Sequence, residues 1–98
     1  MWKTLFESYQ VSDTGKIRRK LATGKYKVLK CSVNNRGYRY FQLQRNGKRI
    51  NYFVHVSVAK VFIGARPGGK VVDHRDRNKL NNKVGNLRYV SQRVNSNN

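Results

Sequence analysis

Acidic residues are nearly absent from this chain. Four carboxylates, Glu7, Asp13, Asp73 and Asp76, stand against 22 lysines and arginines, giving a formal charge of +18 over 98 residues. That imbalance opposes folding through self-repulsion and makes a polyanion the natural partner, because Lys and Arg placed on phosphates release condensed counterions. Cysteine occurs once, at Cys31, which excludes a disulfide framework and a structural zinc site built on cysteine pairs. No apolar run is long enough to span a bilayer, and the first residues lack the apolar stretch of a signal peptide. The positive charge is spread along the chain without an amphipathic basic helix, so a membrane partner is not expected and a cytoplasmic location is. With 38% apolar residues, the length suits one compact domain with a modest core.

Charge alone does not separate a generic basic protein, such as a ribosomal protein or nucleic-acid chaperone, from a specific DNA enzyme. The two halves of the chain differ. Residues 1–53 hold 13 of the 22 basic residues and most of the aromatics. The pattern there predicts strands. Tyr9–Ser12 and Lys16–Arg19 flank a turn at Asp13-Thr14-Gly15. Gly37–Arg45 and Lys48–Val54 flank Asn46-Gly47, which favours a two-residue type I′ hairpin and sets Leu43 opposite Ile50 and Phe41 opposite Tyr52. Phe41, Leu43, Ile50, Tyr52 and Val54 then share a core face, while Tyr38, Tyr40, Gln42, Gln44, Arg49 and Asn51 share the other. Amides and guanidinium groups bond base edges, and a two-stranded ribbon fits a major groove, so this second face is a candidate DNA contact. An ordinary solvated sheet face is the alternative.

Residues 54–63 mix local alternation with a helical stripe of Val54, Val58, Ala59 and Phe62, and Gly64 suits a helix end, so a helix is expected. A loop through Ala65-Arg66-Pro67-Gly68-Gly69 leads to a short strand, Val71-Val72-Asp73. Phosphodiester hydrolysis needs a base near neutrality and a cation to stabilise charge on the phosphate and leaving oxygen. His74 offers the base, and Asp73 offers a hard oxygen ligand of the kind Mg²⁺ takes. Adjacent strand residues face opposite ways, so the pair must lie at a strand end or bend. Leu87–Val90 reads as a returning strand, and Ser91 can cap a helix that carries Asn95 one turn later, beside Asp73. Asn86 can accept a hydrogen bond from a His74 ring N–H and fix its tautomer.

The run Asp73-His74-x-Asp76-x-Asn78-x-x-Asn81-Asn82, continuing through Asn86-Leu87-Arg88-Tyr89-Val90-Ser91 to Asn95, resembles the ββα-metal motif of HNH endonucleases. It is most similar to the phage homing endonucleases encoded within introns. Val54-His55-x-x-Val58-Ala59-x-x-Phe62-Ile63-Gly64 matches the stretch that precedes the motif in that group. Trp2-Lys3, Tyr9-x-Val11-Ser12, Gly15 and Ile17-Arg18 resemble its small N-terminal DNA-binding module. The resemblance implies that Asp73 and Asn95 hold one divalent ion, Mg²⁺ or Mn²⁺, that His74 is the general base, and that Asn86 orients it. Asn95 stands where many members have His. Arg77 stands where Gly is common, and Tyr89 where Trp is common. Related phage enzymes also continue into further DNA-binding helices beyond this point of the motif.

These readings give an α+β fold, one compact domain overall, with a β-rich DNA-binding region at 1–53 and a helix plus nuclease motif at 54–98. The expected activity is metal-dependent hydrolysis of double-stranded DNA to 5′-phosphate and 3′-hydroxyl ends, by a monomer or weak dimer that nicks and needs no small-molecule cofactor. Expected DNA contacts are Arg39, Tyr40, Gln42, Gln44, Arg45, Arg49, Asn51, Arg75, Arg88 and Arg93. Asn78, Asn81 and Asn82 read as loop formers or as direct participants. His55 reads as a capping or core histidine, with a second catalytic histidine as the other option. Asp76 is expected to pair with Arg75 or Arg77, and Trp2, Phe6 and Tyr9 to join the core. A non-catalytic basic nucleic-acid-binding module remains the alternative.

Overall fold

A computed structural model describes residues 1–92. Among these residues the fold is α+β, with small antiparallel sheets and one short α-helix, Val54–Val58. The first sheet is a meander of β1 (Trp2–Phe6), β2 (Tyr9–Ser12), β3 (Ile17–Lys20) and β4 (Tyr26–Val28). The second joins β5 (Ser32–Val33), β6 (Arg39–Arg45) and β7 (Lys48–Phe53). Helix α1 (Val54–Val58) follows β7 directly and continues as a π-helical turn over Ala59–Ile63. The third sheet pairs β8 (Lys70–His74) with β9 (Leu87–Ser91), and a 3-10 turn at Val84–Asn86 precedes β9.

The turns follow the local chemistry. Asn46 and Gly47 both have positive φ, 53° and 75°, as a type I′ turn demands. The resulting register pairs Leu43 with Ile50 and Phe41 with Tyr52, as the alternation predicts. Gly15, at φ +91°, turns β2 into β3, with its N–H on Ser12 O at 3.1 Å. The π-helical turn ends at Gly64, whose N–H reaches back to Ala59 O at 3.0 Å.

One apolar cluster unites the chain: Val11, Ile17, Phe41, Leu43, Val54, Val58 and Leu87. It draws on β2, β3, β6, α1 and β9, so the N-terminal strands and the C-terminal hairpin share their burial. Each such side chain contributes about 1.5–3 kcal/mol by leaving water. Two core expectations are corrected. Ile50 is 38% exposed, because the core ends before the tip of the β6–β7 hairpin. Trp2 leaves the core and stacks on the Arg18 guanidinium at 4.1 Å, with Tyr26 on Arg18 at 3.8 Å.

The cross-strand pair Leu43 and Ile50 separates register from burial. Leu43→Ala should cost about 2–5 kcal/mol in urea unfolding, and Ile50→Ala about 1 kcal/mol or less. Equal losses would contradict the position of the core edge.

Candidate active site

Strand β8 ends at His74, and β9 returns so that Asp73 faces Arg88 and His74 faces Leu87. Leu87 is a core residue, so the last rung of this hairpin is anchored in the apolar cluster. The chain leaves β8 in a tight turn, with Arg77 N–H on His74 O at 2.9 Å and Arg77 at φ +64°. A left-handed residue at that point explains physically why glycine suits it.

Asp73 and His74 are both buried. Arg88 Nε donates to Asp73 Oδ2 at 2.9 Å. Arg88, expected to contact DNA, is the cross-strand partner of Asp73, and its side chain stays 44% exposed. No bond to Asp73 Oδ1 occurs among the described residues, which leaves a hard oxygen able to face a cation. No cluster of three or more His, Cys, Asp or Glu side chains occurs among the described residues. A cation held by Asp73 would therefore rely on amide, water or phosphate oxygens, as suits Mg²⁺. The expected second ligand, Asn95, lies outside the described residues, as does Arg93 and the helix expected after Ser91.

His74 Nε2–H donates to Asn82 Oδ1 at 2.8 Å, and both residues are buried. The bond puts the ring proton on Nε2 and leaves the Nδ1 lone pair as the proton acceptor. It also corrects the role expected of Asn86. The Asn86 carboxamide accepts from Asp76 N–H at 3.1 Å and donates to Asp76 Oδ1 and Asn81 O, each at 2.8 Å. Asn86 therefore ties the loop closed, and the loop's shape carries Asn82, not Asn86, to the imidazole.

Asp76 is the hub of that loop. It accepts from Asn78 N–H at 2.8 Å and from Asn81 Nδ2 at 2.9 Å, in place of the expected pairing with Arg75 or Arg77. The Asn81 bond, then those from Asn78 and Asn86, hold its carboxyl below the ordinary value. Asp76 thus stays ionised, and its support of the loop is lost only as pH falls through that depressed value.

An aromatic stack covers His74. The His55 ring lies 5.0 Å from it, and Tyr38 stacks on His55 at 4.9 Å. Tyr38 is aimed by Asn34, whose Oδ1 accepts from Tyr38 N–H at 2.9 Å and Arg36 N–H at 3.0 Å. Lys79 Nζ sits 4.7 Å over the Tyr38 ring and donates to Arg36 O at 2.8 Å. Burial first, and the nearby His74 second, push the His55 pKa down to about 4. His55 is thus a neutral packing residue. Its Nδ1 and Asn82 Nδ2 are buried without partners among the described residues.

The expected DNA face divides by strand parity. Gln42, Gln44, Arg49 and Asn51 are exposed and paired across β6 and β7 as Gln42–Asn51 and Gln44–Arg49, with Tyr40 half-buried on the same side. Arg39 and Arg45 have the opposite parity and point to the core side. Arg45 reaches Glu7 and Tyr52 at 3.4 Å and lies over Phe6, so it ties the hairpin to the first sheet. Arg75 is exposed beside the site. Cys31 is half-buried, and burial raises its thiol pKa against the opposing charge of Arg39, which keeps it unreactive.

Residues 52–97 match the HNH endonuclease family model, and residues 2–44 match the NUMOD4 motif. The chain belongs to the HNH endonuclease family. It is 41% identical over 87 residues to the DNA endonuclease I-HmuI of Bacillus phage SP01, covering 89% of this chain and 48% of that protein. It is 39% identical over 98 residues to the uncharacterised HNH endonuclease L245 of Acanthamoeba polyphaga mimivirus, covering 98% of this chain and 28% of that protein. The solved structure of the HNH homing endonuclease I-HmuI superposes with a TM-score of 0.84 at 38% identity, covering 99% of this chain and 56% of that one. The chain thus spans about half or less of these curated relatives. Within the HNH motif, Asn82 is the residue that sequence reasoning under-weighted: it lies in an asparagine-rich loop where spacing does not say which carboxamide turns inward.

A buried histidine that stays neutral makes stability depend on pH. His55 binds its proton near pH 6.5 when unfolded and near 4 when folded, so stability should fall as pH drops from about 6.5 towards 4. Urea unfolding of His55→Phe over that range should show a shallower fall than the parent. Equal slopes would contradict the burial of His55.

Proposed function

We propose that this chain is a metal-dependent DNA endonuclease of the homing type its relatives are named for. It hydrolyses phosphodiester bonds in duplex DNA to 5′-phosphate and 3′-hydroxyl ends. The observation that carries the reading is the His74–Asn82 bond, made beside a buried carboxylate at the end of a strand. The imidazole is held in one tautomer with Nδ1 free to take a proton from water, as a general base near neutrality requires.

Divalent-metal dependence is general among HNH endonucleases, and the donor set here fits a hard ion, Mg²⁺ or Mn²⁺. Asp73 Oδ1 would hold it, with Asn95 as the second protein ligand. Once bound, the ion supplies charge stabilisation to the scissile phosphate and the leaving oxygen. Arg88 fixes Asp73 in orientation through the bond to Oδ2. His55 and, behind it, Tyr38 pack against the His74 ring and would shield it from water on that side.

Duplex DNA is drawn by the +18 charge and read by the outer face of β6 and β7. Gln42, Gln44, Arg49 and Asn51 present amides and a guanidinium suited to base edges in the major groove. A groove of about 400 Å³ between the first two sheets places Arg19 near Gln44 and Arg49, where a phosphate backbone would find cations. One such site cuts one strand, so a monomer nicks.

Supercoiled plasmid should be converted to the nicked form with Mg²⁺ or Mn²⁺ and left intact with chelator. His74→Ala should slow nicking by about 10²–10⁴-fold, with DNA affinity retained. A His74→Ala protein that nicks as fast as the parent would overturn the reading.

A further inference from the structure

The turn between β2 and β3 lies far from the nuclease motif in sequence, yet it touches the residue that holds the base. A Cβ built on Gly15 would lie 2.9 Å from Asn82 Cβ, 3.2 Å from Asn82 O and 3.4 Å from Asn82 C. Real side chains do not approach that closely. The atoms met are the root and backbone of Asn82, not the end of a flexible side chain, so relief requires moving the chain itself. One residue pair away, Val84 N–H donates to Asp13 O at 2.8 Å and binds the same turn to the loop.

We propose that Gly15 is a positioning residue for catalysis: the first turn of the N-terminal module sets Asn82, and through Asn82 the imidazole of His74. The proposal rests on the reading of His74 as the base.

Two observations make the coupling stiff. The turn has little freedom to retreat. Ser12 N–H bonds Lys16 O at 2.8 Å, Ser12 Oγ accepts from Lys16 N–H at 2.9 Å, and Ser12 Oγ bonds Thr14 Oγ1 at 2.9 Å. Val11 and Ile17, either side of it, are fully buried in the core. Asn82, by contrast, is anchored weakly at its tip. Its Nδ2 is buried without a partner among the described residues, so its carboxamide is held by the His74 bond alone. The carboxamide's position is therefore set by its own backbone and Cβ, which are what Gly15 packs against. A methyl group at 15 displaces Asn82 before it displaces the turn, and Oδ1 withdraws from His74 Nε2. The N-terminal module is then more than a DNA tether, because it forms one wall of the site that orients the base.

Gly15→Ala provides the test, with Gly24→Ala as its control. Gly24 has a similar φ, +85°, in the next turn of the same sheet, and nothing lies within 4 Å of its Cβ position. The alanine strain is thus matched and only the contact with Asn82 differs. The readings are the single-turnover nicking rate with enzyme in excess, the DNA affinity, and the side-chain ¹⁵N spectrum of His74 in the full chain.

The parent should show a single Nε2–H tautomer. Gly15→Ala should lose about tenfold or more in rate, with affinity within about twofold, and should lose that tautomer signature. Gly24→Ala should match the parent in all three. Should Gly15→Ala lack a cooperative unfolding transition, Val84→Pro decides by the same criteria. It removes the N–H that binds Asp13 O, and Lys83 before it is already extended at φ −65° and ψ 141°, as a residue preceding proline requires.

A folded variant whose His74 spectrum is unchanged would overturn the proposal, whatever its rate. An altered spectrum with undiminished nicking would uphold the positioning by Gly15 and overturn the assignment of His74 as base, so the two failures are distinct.

Discussion

The hydrogen bond from His74 Nε2–H to Asn82 Oδ1 is the constraint on which the site depends. An imidazole at a strand end has two nitrogens of similar basicity, and nothing in β8 itself decides which carries the proton. Buried at 2.8 Å from a carboxamide oxygen that can only accept, Nε2 must carry it. That single contact gives the ring the defined lone pair that the proposed role as base needs. It is also costly, because it leaves Asn82 Nδ2 buried and unpartnered among the described residues. A fold that tolerates an orphaned amide in order to place an oxygen is one in which placement outweighs local stability.

Loop closure and chemistry are divided between different side chains. Asp76, Asn78, Asn81 and Asn86 form a self-contained network that bridges β8 and β9 and touches neither Asp73 nor His74 through any side-chain bond. Asp76 remains charged at neutral pH because three of its neighbours in the loop donate to it. The loop is therefore held closed at neutral pH, and Asn82 lies within it without belonging to the network. Across the ring, Tyr38 and His55 supply a neutral aromatic wall. Burial of His55 keeps that wall uncharged.

The parts of this arrangement legible in the sequence are those with a local code. Asn46-Gly47 with flanking alternation fixes the β6–β7 register residue by residue, and the Asp73-His74 pair before a polar loop marks a strand end. Strands β1, β4 and β5 carry no comparable signal. β4 has three residues and β5 two, too few to show a period, and Leu5-Phe6 breaks the alternation of β1. Parity alone sets Arg39 and Arg45 on the side of Phe41 and Leu43, apart from Gln42, Gln44, Arg49 and Asn51. The choice between Asn82 and Asn86 has no such remedy. Both are carboxamides in one loop, and which of them meets His74 depends on the 3-10 turn at Val84–Asn86 and on the contact with Gly15, a residue with no side chain to advertise it.

The charge excess takes its meaning from how the cations are spent. Arg18 is held between Trp2 and Tyr26 with its Nε on Gln10 Oε1 at 2.7 Å, Arg45 clasps Glu7, Arg88 neutralises Asp73, and Lys79 caps Tyr38. Each pins one segment to another, so part of the +18 charge serves the fold directly. With only four carboxylates in the chain, aromatic rings and carbonyl oxygens take the place of acids as partners for these cations. Arg49 on the outer face of β6 and β7, and Arg75 beside the site, remain exposed. A surface so arranged gains most from a partner whose negative charge is regularly spaced and whose edges accept and donate hydrogen bonds, as duplex DNA does. The scarcity of acid that burdens folding also leaves Asp73 as the one buried carboxylate among the described residues, paired with Arg88.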